Sequence, residues 1–288
     1  MRRLLSLLVL SVLLAGCNAA GSSGNPSGSA GQSAASKYAV ATGSSSLILR
    51  VSSGGGFVAP GSLLTSLPEF ALYGDGRVIV PGAVDAIYPA PLLPNLRQFK
   101  LTPAEIQRLL AAADADGLLG PDVDYPQANV MDAGTTTFTT VVDGKTHTIS
   151  ANALTEAGSG SDSPDAAART KLLDFQSKIQ DLGGFLGRTL GNGDAYQPTA
   201  IRVYVGPEPA NDPAVTSPKT VAWPLAVDPL TGGKPTGFEG ESCVLVSGSD
   251  TAKFLAAAET ATSSSTWTAS SGRFGVSVRP LYPNESGC

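Results

Sequence analysis

The chain has 288 residues, of which 42% are hydrophobic and only 15% charged, with a formal net charge of −5. At about 100–200 residues per domain, that is enough apolar material for the core of one large domain or two small ones. An acidic, lysine-poor surface excludes nucleic acid as a partner and excludes docking flat on anionic lipid.

Arg2 and Arg3 make the start basic, and Leu4 to Leu14 is apolar apart from Ser6 and Ser11. A helix rises about 1.5 Å per residue, so this stretch falls short of a hydrocarbon core of about 30 Å. A basic start, a short apolar run and small residues after it mark a secretory signal. The run ends Leu14-Ala15-Gly16-Cys17, which resembles the lipobox of bacterial lipoproteins. The resemblance implies cleavage after residue 16, lipid (palmitate among its acyl chains) on Cys17, and a chain held on the outer, extracytoplasmic face of a membrane. More than one acyl chain is needed for a stable anchor. Residues 17–46 are rich in Ser, Gly and Ala. They carry little to bury and read as a flexible tether with a root-mean-square reach of roughly 30 Å. The folded domain is expected over 47–288.

Within it, Leu47 to Val51 reads as a strand. Glu69–Tyr73 and Arg77–Val80 flank Gly74-Asp75-Gly76 as a hairpin. Thr102-Pro103-Ala104-Glu105 is a capping box with proline at the first helical position. Ile106, Leu109, Leu110 and Ala113 follow at helical spacing, and Gly117 stops the helix. Thr135 to Ser150 alternates around Asp143-Gly144, which pairs Val142 with Lys145, Thr140 with His147 and Phe138 with Ile149. A second helix starts at Ser163-Pro164-Asp165. Its stripe is Ala168, Leu172, Phe175, Ile179 and Leu182, and Gly183-Gly184 ends it. Ala200–Val205 is a strand, Val221–Val227 a strand interrupted at Pro224, and Cys243–Val246 another. Ser249 caps a third helix running to about Ala261. A last hairpin turns at Ser271-Gly272, which would pair Trp267 with Val276 and Ala269 with Phe274.

The fold class is therefore α+β, with antiparallel hairpins packed on about three helices. The order strand, extended segments, helix, hairpin occurs over 47–150 and again over 200–279. This points to two similar halves with a sub-boundary near 183–199.

Cys17 is taken by lipid, which leaves Cys243 and Cys288 as an even pair for a disulfide in an oxidising compartment. Asp114-Ala115-Asp116-Gly117 has the look of a calcium loop, with Asp122 and Asp124 beyond it. The first and twelfth ligand positions would fall on Ala112 and Val123, so the ligand set is incomplete. No metal or other cofactor is expected. His147 is the only histidine. It lies beside Thr140 in a hairpin, where a structural hydrogen bond suits it better than catalysis. The signatures G-x-S-x-G and S-x-x-K do not occur.

Pro68–Val78 and Arg279–Cys288 resemble segments of uncharacterised actinobacterial lipoproteins and secreted proteins. That resemblance also implies the Cys243–Cys288 pair, and it implies no activity. The leading expectation is a binding or structural envelope protein, with a protein or wall polymer as partner. The alternatives are a carboxylate-dependent hydrolase of wall or extracellular polymers and a carrier of an apolar ligand.

Cys17→Ser is expected to leave an unprocessed or freely released chain, read by detergent partitioning and by mass spectrometry of the mature amino terminus. An unmodified Cys17 in the native host would overturn the lipid anchor.

Overall fold

The computed structural model describes residues 37–59, 61–127, 129–155 and 164–288. The expected signal, Cys17 and the helix start at Ser163 lie outside the described residues. In chain order the elements are β1 (Leu47–Gly54), α1 (Ser62–Thr65), β2 (Phe70–Tyr73), β3 (Arg77–Pro81), β4 (Leu96–Lys100), α2 (Pro103–Ala115), β5 (Val123–Tyr125), β6 (Thr135–Val142) and β7 (Lys145–Asn152). They continue with α3 (Ala166–Gln180), α4 (Leu182–Leu186), β8 (Asp194–Ala195), β9 (Ala200–Gly206), β10 (Thr220–Ala222), α5 (Pro229–Gly232) and β11 (Lys234–Pro235). The last four are β12 (Ser242–Ser247), α6 (Ser249–Ala258), β13 (Thr266–Ala269) and β14 (Gly272–Pro280).

The fold is α+β. The first sheet has the strand order β5-β7-β6-β1-β2-β3-β4-β8 and the second β10-β13-β14-β9-β12-β11. The last strand of the first sheet ends at Ala195 and the second sheet begins at Ala200, so the change of sheet falls near the expected sub-boundary. The described residues contain six helices, not about three. α2, α3 and α6 are the expected ones; α1, α4 and α5 are single turns whose short sequences carry no periodic stripe.

Both sheets run through the same series of strand directions, with a parallel edge strand (β5 on β7, β10 on β13) beside an antiparallel hairpin. The chain order differs, however. The first strand of one hairpin, β6, lies against β1, whereas the second strand of the other, β14, lies against β9. The halves share an arrangement and not a tandem connectivity.

The main core lies between the first sheet and α2 and α3. Leu49, Val51, Phe70, Leu72, Val78, Phe138 and Ile149 face Ile106, Leu109, Leu110, Leu172 and Phe175. Each such buried side chain contributes about 1.5–3 kcal/mol. The capping box of α2 is complete, with Thr102 Oγ1 accepting from Glu105 N and Glu105 Oε2 accepting from Thr102 N at 2.7 Å. The β6–β7 register is the one expected, because Asp143 and Gly144 both take positive φ (54° and 71°), as a type I′ turn requires. Tyr38, placed in the tether by composition, is buried in this core. Its backbone amide donates to Gln107 Oε1 at 3.0 Å and its hydroxyl to Asp114 Oδ2 at 2.8 Å. The packed region therefore starts before Leu47.

Other departures have local causes. Gly183 and Gly184 do not end a helix. Asp181 breaks α3, then caps α4 by accepting from Gly184 N at 3.0 Å, and Gly187 ends α4 at φ 73°. β4 was not expected, because Arg97, Gln98 and Lys100 give it no apolar alternation; near the edge of the sheet, polar residues suit it. β10 stops before Trp223, whose ring enters an aromatic cluster with Phe254, Trp267 and Phe274 at 5.6–6.1 Å. The last hairpin pairs Trp267 with Phe274 and Ala269 with Gly272, two residues off the expected register. Asp228 fixes the turn by accepting from Ser270 Oγ at 2.9 Å and Ser271 N at 3.1 Å. A slip of two keeps every side chain on its face, since the pleat repeats every two residues.

α3 is anchored by Arg169, whose side chain is 1% exposed. It donates to Asp165 at 2.9 Å, to the Asn152 carbonyl at 2.8 Å and to the Tyr125 carbonyl at 2.7 Å.

The C-terminal segment joins the sheets. Arg279, at the end of β14, makes a two-pronged pair with Glu285 at 2.7 and 2.8 Å and donates through Nε to the Ser66 carbonyl at 2.8 Å. Tyr73 of the first sheet donates to Asn284 at 2.9 Å, and Arg202 of the second donates to the Gly287 carbonyl at 2.7 Å. Cys243 and Cys288 form a disulfide with Cα atoms 5.8 Å apart. The Tyr282 ring is packed with Ala71, Tyr73, Ile79, Leu96 and Tyr196, and its hydroxyl donates to the Pro68 carbonyl at 3.4 Å. The two stretches that carried the second resemblance thus pack on each other. Burial pushes the Tyr196 phenol up to about 12. Burial alone would raise the Glu285 carboxyl, but Arg279, the Tyr282 amide and Arg50 together hold it below its ordinary value.

A group with a lowered folded-state value contributes stability above its ordinary value, and that stability drains as pH falls through the folded one. Stability is therefore expected to fall as pH drops below 4.5, the ordinary glutamate value, and Glu285→Gln should flatten that acid limb in urea unfolding. Cys288→Ser is expected to cost about 2–4 kcal/mol in the same measurement, and an unchanged midpoint would count against a stabilising role for the Cys243–Cys288 disulfide.

Candidate functional site

The residues singled out by sequence do not converge. Asp114 accepts from Tyr38 and from Lys37, the latter at 3.1 Å, and these two contacts, in that order, hold its carboxyl below the usual range. Asp116 pairs with Lys178 at 2.6 Å, and Asp122 accepts from Thr148 N at 2.8 Å. Asp124 is exposed on β5. Among the described residues no group of three or more His, Cys, Asp or Glu could hold a metal ion. The Nδ1–H of His147 donates to the Gly120 carbonyl at 2.7 Å, so the ring ties the loop after α2 to β7. No helix among the described residues is long and apolar enough to cross a membrane.

A groove of about 1010 Å³ lies between the helix-facing side of the first sheet and the α3–α4 corner. Val80 and Pro81 of β3 and Phe99 of β4 form one wall. Ile179, Leu182 and Leu190 form the other. Asp181 shapes that second wall by turning the chain between α3 and α4. The glycines there let the turn close tightly: a Cβ on Gly184 would lie 2.1 Å from Asp181 Oδ2, and one on Gly183 would lie 2.9 Å from the Arg188 carbonyl.

The polar side chains of the lining are Glu69, Gln180, Asp181, Arg188 and Thr189, of which Glu69, Asp181 and Arg188 are held by protein partners. Glu69 accepts from Gln176 Nε2 at 2.9 Å. Arg188 pairs with Glu105 and donates to the Lys100 carbonyl at 3.1 Å. That guanidinium first, then the Thr102 amide, takes the Glu105 carboxyl down to about 2. The capping box expected for α2 therefore also fixes one end of the groove. Periodicity had marked Ile179 and Leu182 as core positions. Nothing local pointed to Phe99 or Leu190, because the groove exists only where a strand meets a helix corner distant in sequence.

Comparison with protein-family models, with curated proteins and with solved structures finds no match for the chain.

Because Asp114, Asp116 and Asp122 already have protein partners, millimolar Ca²⁺ is expected to leave the melting temperature unchanged. A rise of several degrees that disappears in Asp122→Asn would place calcium there instead.

Proposed function

We propose that this protein is a lipid-anchored envelope protein that binds and does not turn over, and that its groove carries an apolar ligand. The groove is the observation that carries this reading. Its volume reaches the upper end of the roughly 300–1,000 Å³ usual for ligand sites, and apolar walls with few polar groups are the general pattern of such sites. A lipid on Cys17 and a Ser/Gly/Ala tether would let the domain work within a few nanometres of a bilayer, on the outer face. That suits a carrier, or a binder of a neighbouring envelope component. The like arrangement of the two sheets supports reading them as two similar halves, of which the first holds the groove.

The alternative of a carboxylate-dependent hydrolase has one observation in its favour, since Glu69 and Asp181 both line the groove.

The test uses the full chain in phospholipid nanodiscs with a photoreactive fatty acid. Cross-links are expected on the groove walls around Phe99 and Leu190, and Val80→Trp, which fills the groove, should reduce them at least tenfold. Cross-links spread over the surface and indifferent to Val80→Trp would overturn the reading. Release of sugar from wall polymer, abolished by Glu69→Gln, would replace it with the hydrolase.

A further inference from the structure

We propose that a second pocket, on the other face of the first sheet, is an oxyanion site built around Arg50 for a carboxylate or phosphate group. Its volume is about 410 Å³. The floor is the outward face of β1 and β6, where Ser52 lies opposite Thr137 and Gly54 opposite Thr135. Arg50 stands one pleat further along β1. Leu67 and Pro68 wall one side, and Arg279 and Glu285 of the C-terminal segment wall another.

The charges decide the ligand. Both Glu285 oxygens accept from Arg279, and Oε2 also accepts from Tyr282 N at 3.0 Å. That pair is neutral and its acceptors are used. Arg50 is then a surplus positive charge, 3.6 Å from Glu285. Its Nη2 donates to Asn284 Oδ1 at 2.8 Å, and it sits beside the Tyr73 hydroxyl. A guanidinium has five N–H donors, and these contacts leave part of them unused. Nε is sealed from solvent, so the donors a ligand would meet belong to the part of the side chain that stays exposed, 23% of it, along the pocket lining.

A guanidinium with two hydroxyls at the floor supplies donors to a group that only accepts, and charge-assisted bonds of this kind are the strong ones. A cation would find its carboxylate already neutralised. A neutral sugar would find no aromatic ring among the lining residues to stack on.

The test titrates the full chain in nanodiscs of neutral lipid, at constant ionic strength, by calorimetry, with inorganic phosphate in one arm and acetate in the other. One saturable site is expected in at least one arm, and that arm identifies the ligand's head group. Arg50→Gln should weaken it at least tenfold and Thr137→Val severalfold. Val80→Trp, in the groove, should leave it unchanged, so the two sites fail independently. Lack of saturation in both arms overturns the proposal, as does equal affinity in Arg50→Gln. If Arg50→Gln does not fold, the double variant Ser52→Ala, Thr137→Val decides, and unchanged affinity in it overturns the proposal.

Discussion

The pairing of Arg279 with Glu285 is the contact on which the architecture turns. Each sheet has its own core, one under α2 and α3 and the other under α6. The two are joined by Leu92, which lies between β3 and β4 and packs in the second core, and by a small cluster with Tyr73, Tyr196 and Tyr282; Tyr282 belongs to the same short segment as Glu285. A charged pair buried this far is favourable only when its remaining lone pairs and protons are satisfied. Here the Tyr282 amide and the Ser66 carbonyl complete the set. The segment must therefore fold back in one conformation, and the disulfide at its end, which closes a loop with a sequence separation of 45, lowers the entropy of the unfolded chain.

The same constraint gives the first sheet two unlike faces. Strand alternation sends Leu49 and Val51 to the helices and Arg50 and Ser52 to the other side. Left open, that second side would expose Ala71 and Ile79 beside the polar residues of β1. Covered by the C-terminal segment, it becomes a pocket with a surplus guanidinium. On the helix side, the break at Asp181 stops α3 from running on, and the groove opens at that corner. Both candidate sites thus sit where a regular element is interrupted or capped by a distant piece of chain.

Local chemistry was legible wherever it was self-contained. The capping box at Thr102, the stripe of α2 and the Asp143-Gly144 turn each depend on residues within a few positions of one another. The C-terminal hairpin was legible as to face but not as to register, because Asp228, 42 residues before Ser270, holds the turn. Arg169 carried no signal at all. An arginine in a helix usually reads as solvated, and only the carbonyls of Tyr125 and Asn152, brought to it by β5 and β7, make its burial favourable. Tyr38 was hidden by the low complexity around it.

By itself, then, the sequence determined the α+β class, the three long helices and the hairpins, because periodicity, caps and turns are written in neighbouring residues; of its three cysteines, the two that fall in the folded region form the pair. The tertiary structure alone decided that the chain forms two sheets, that their shared arrangement hides a different connectivity, and that Arg50, Arg279 and Glu285 meet. Those outcomes rest on contacts between distant segments, up to about a hundred residues apart within the sheets and more than two hundred where Arg50 and Ser66 meet the C-terminal segment, and their free energy depends on burial and charge pairing that no local window contains.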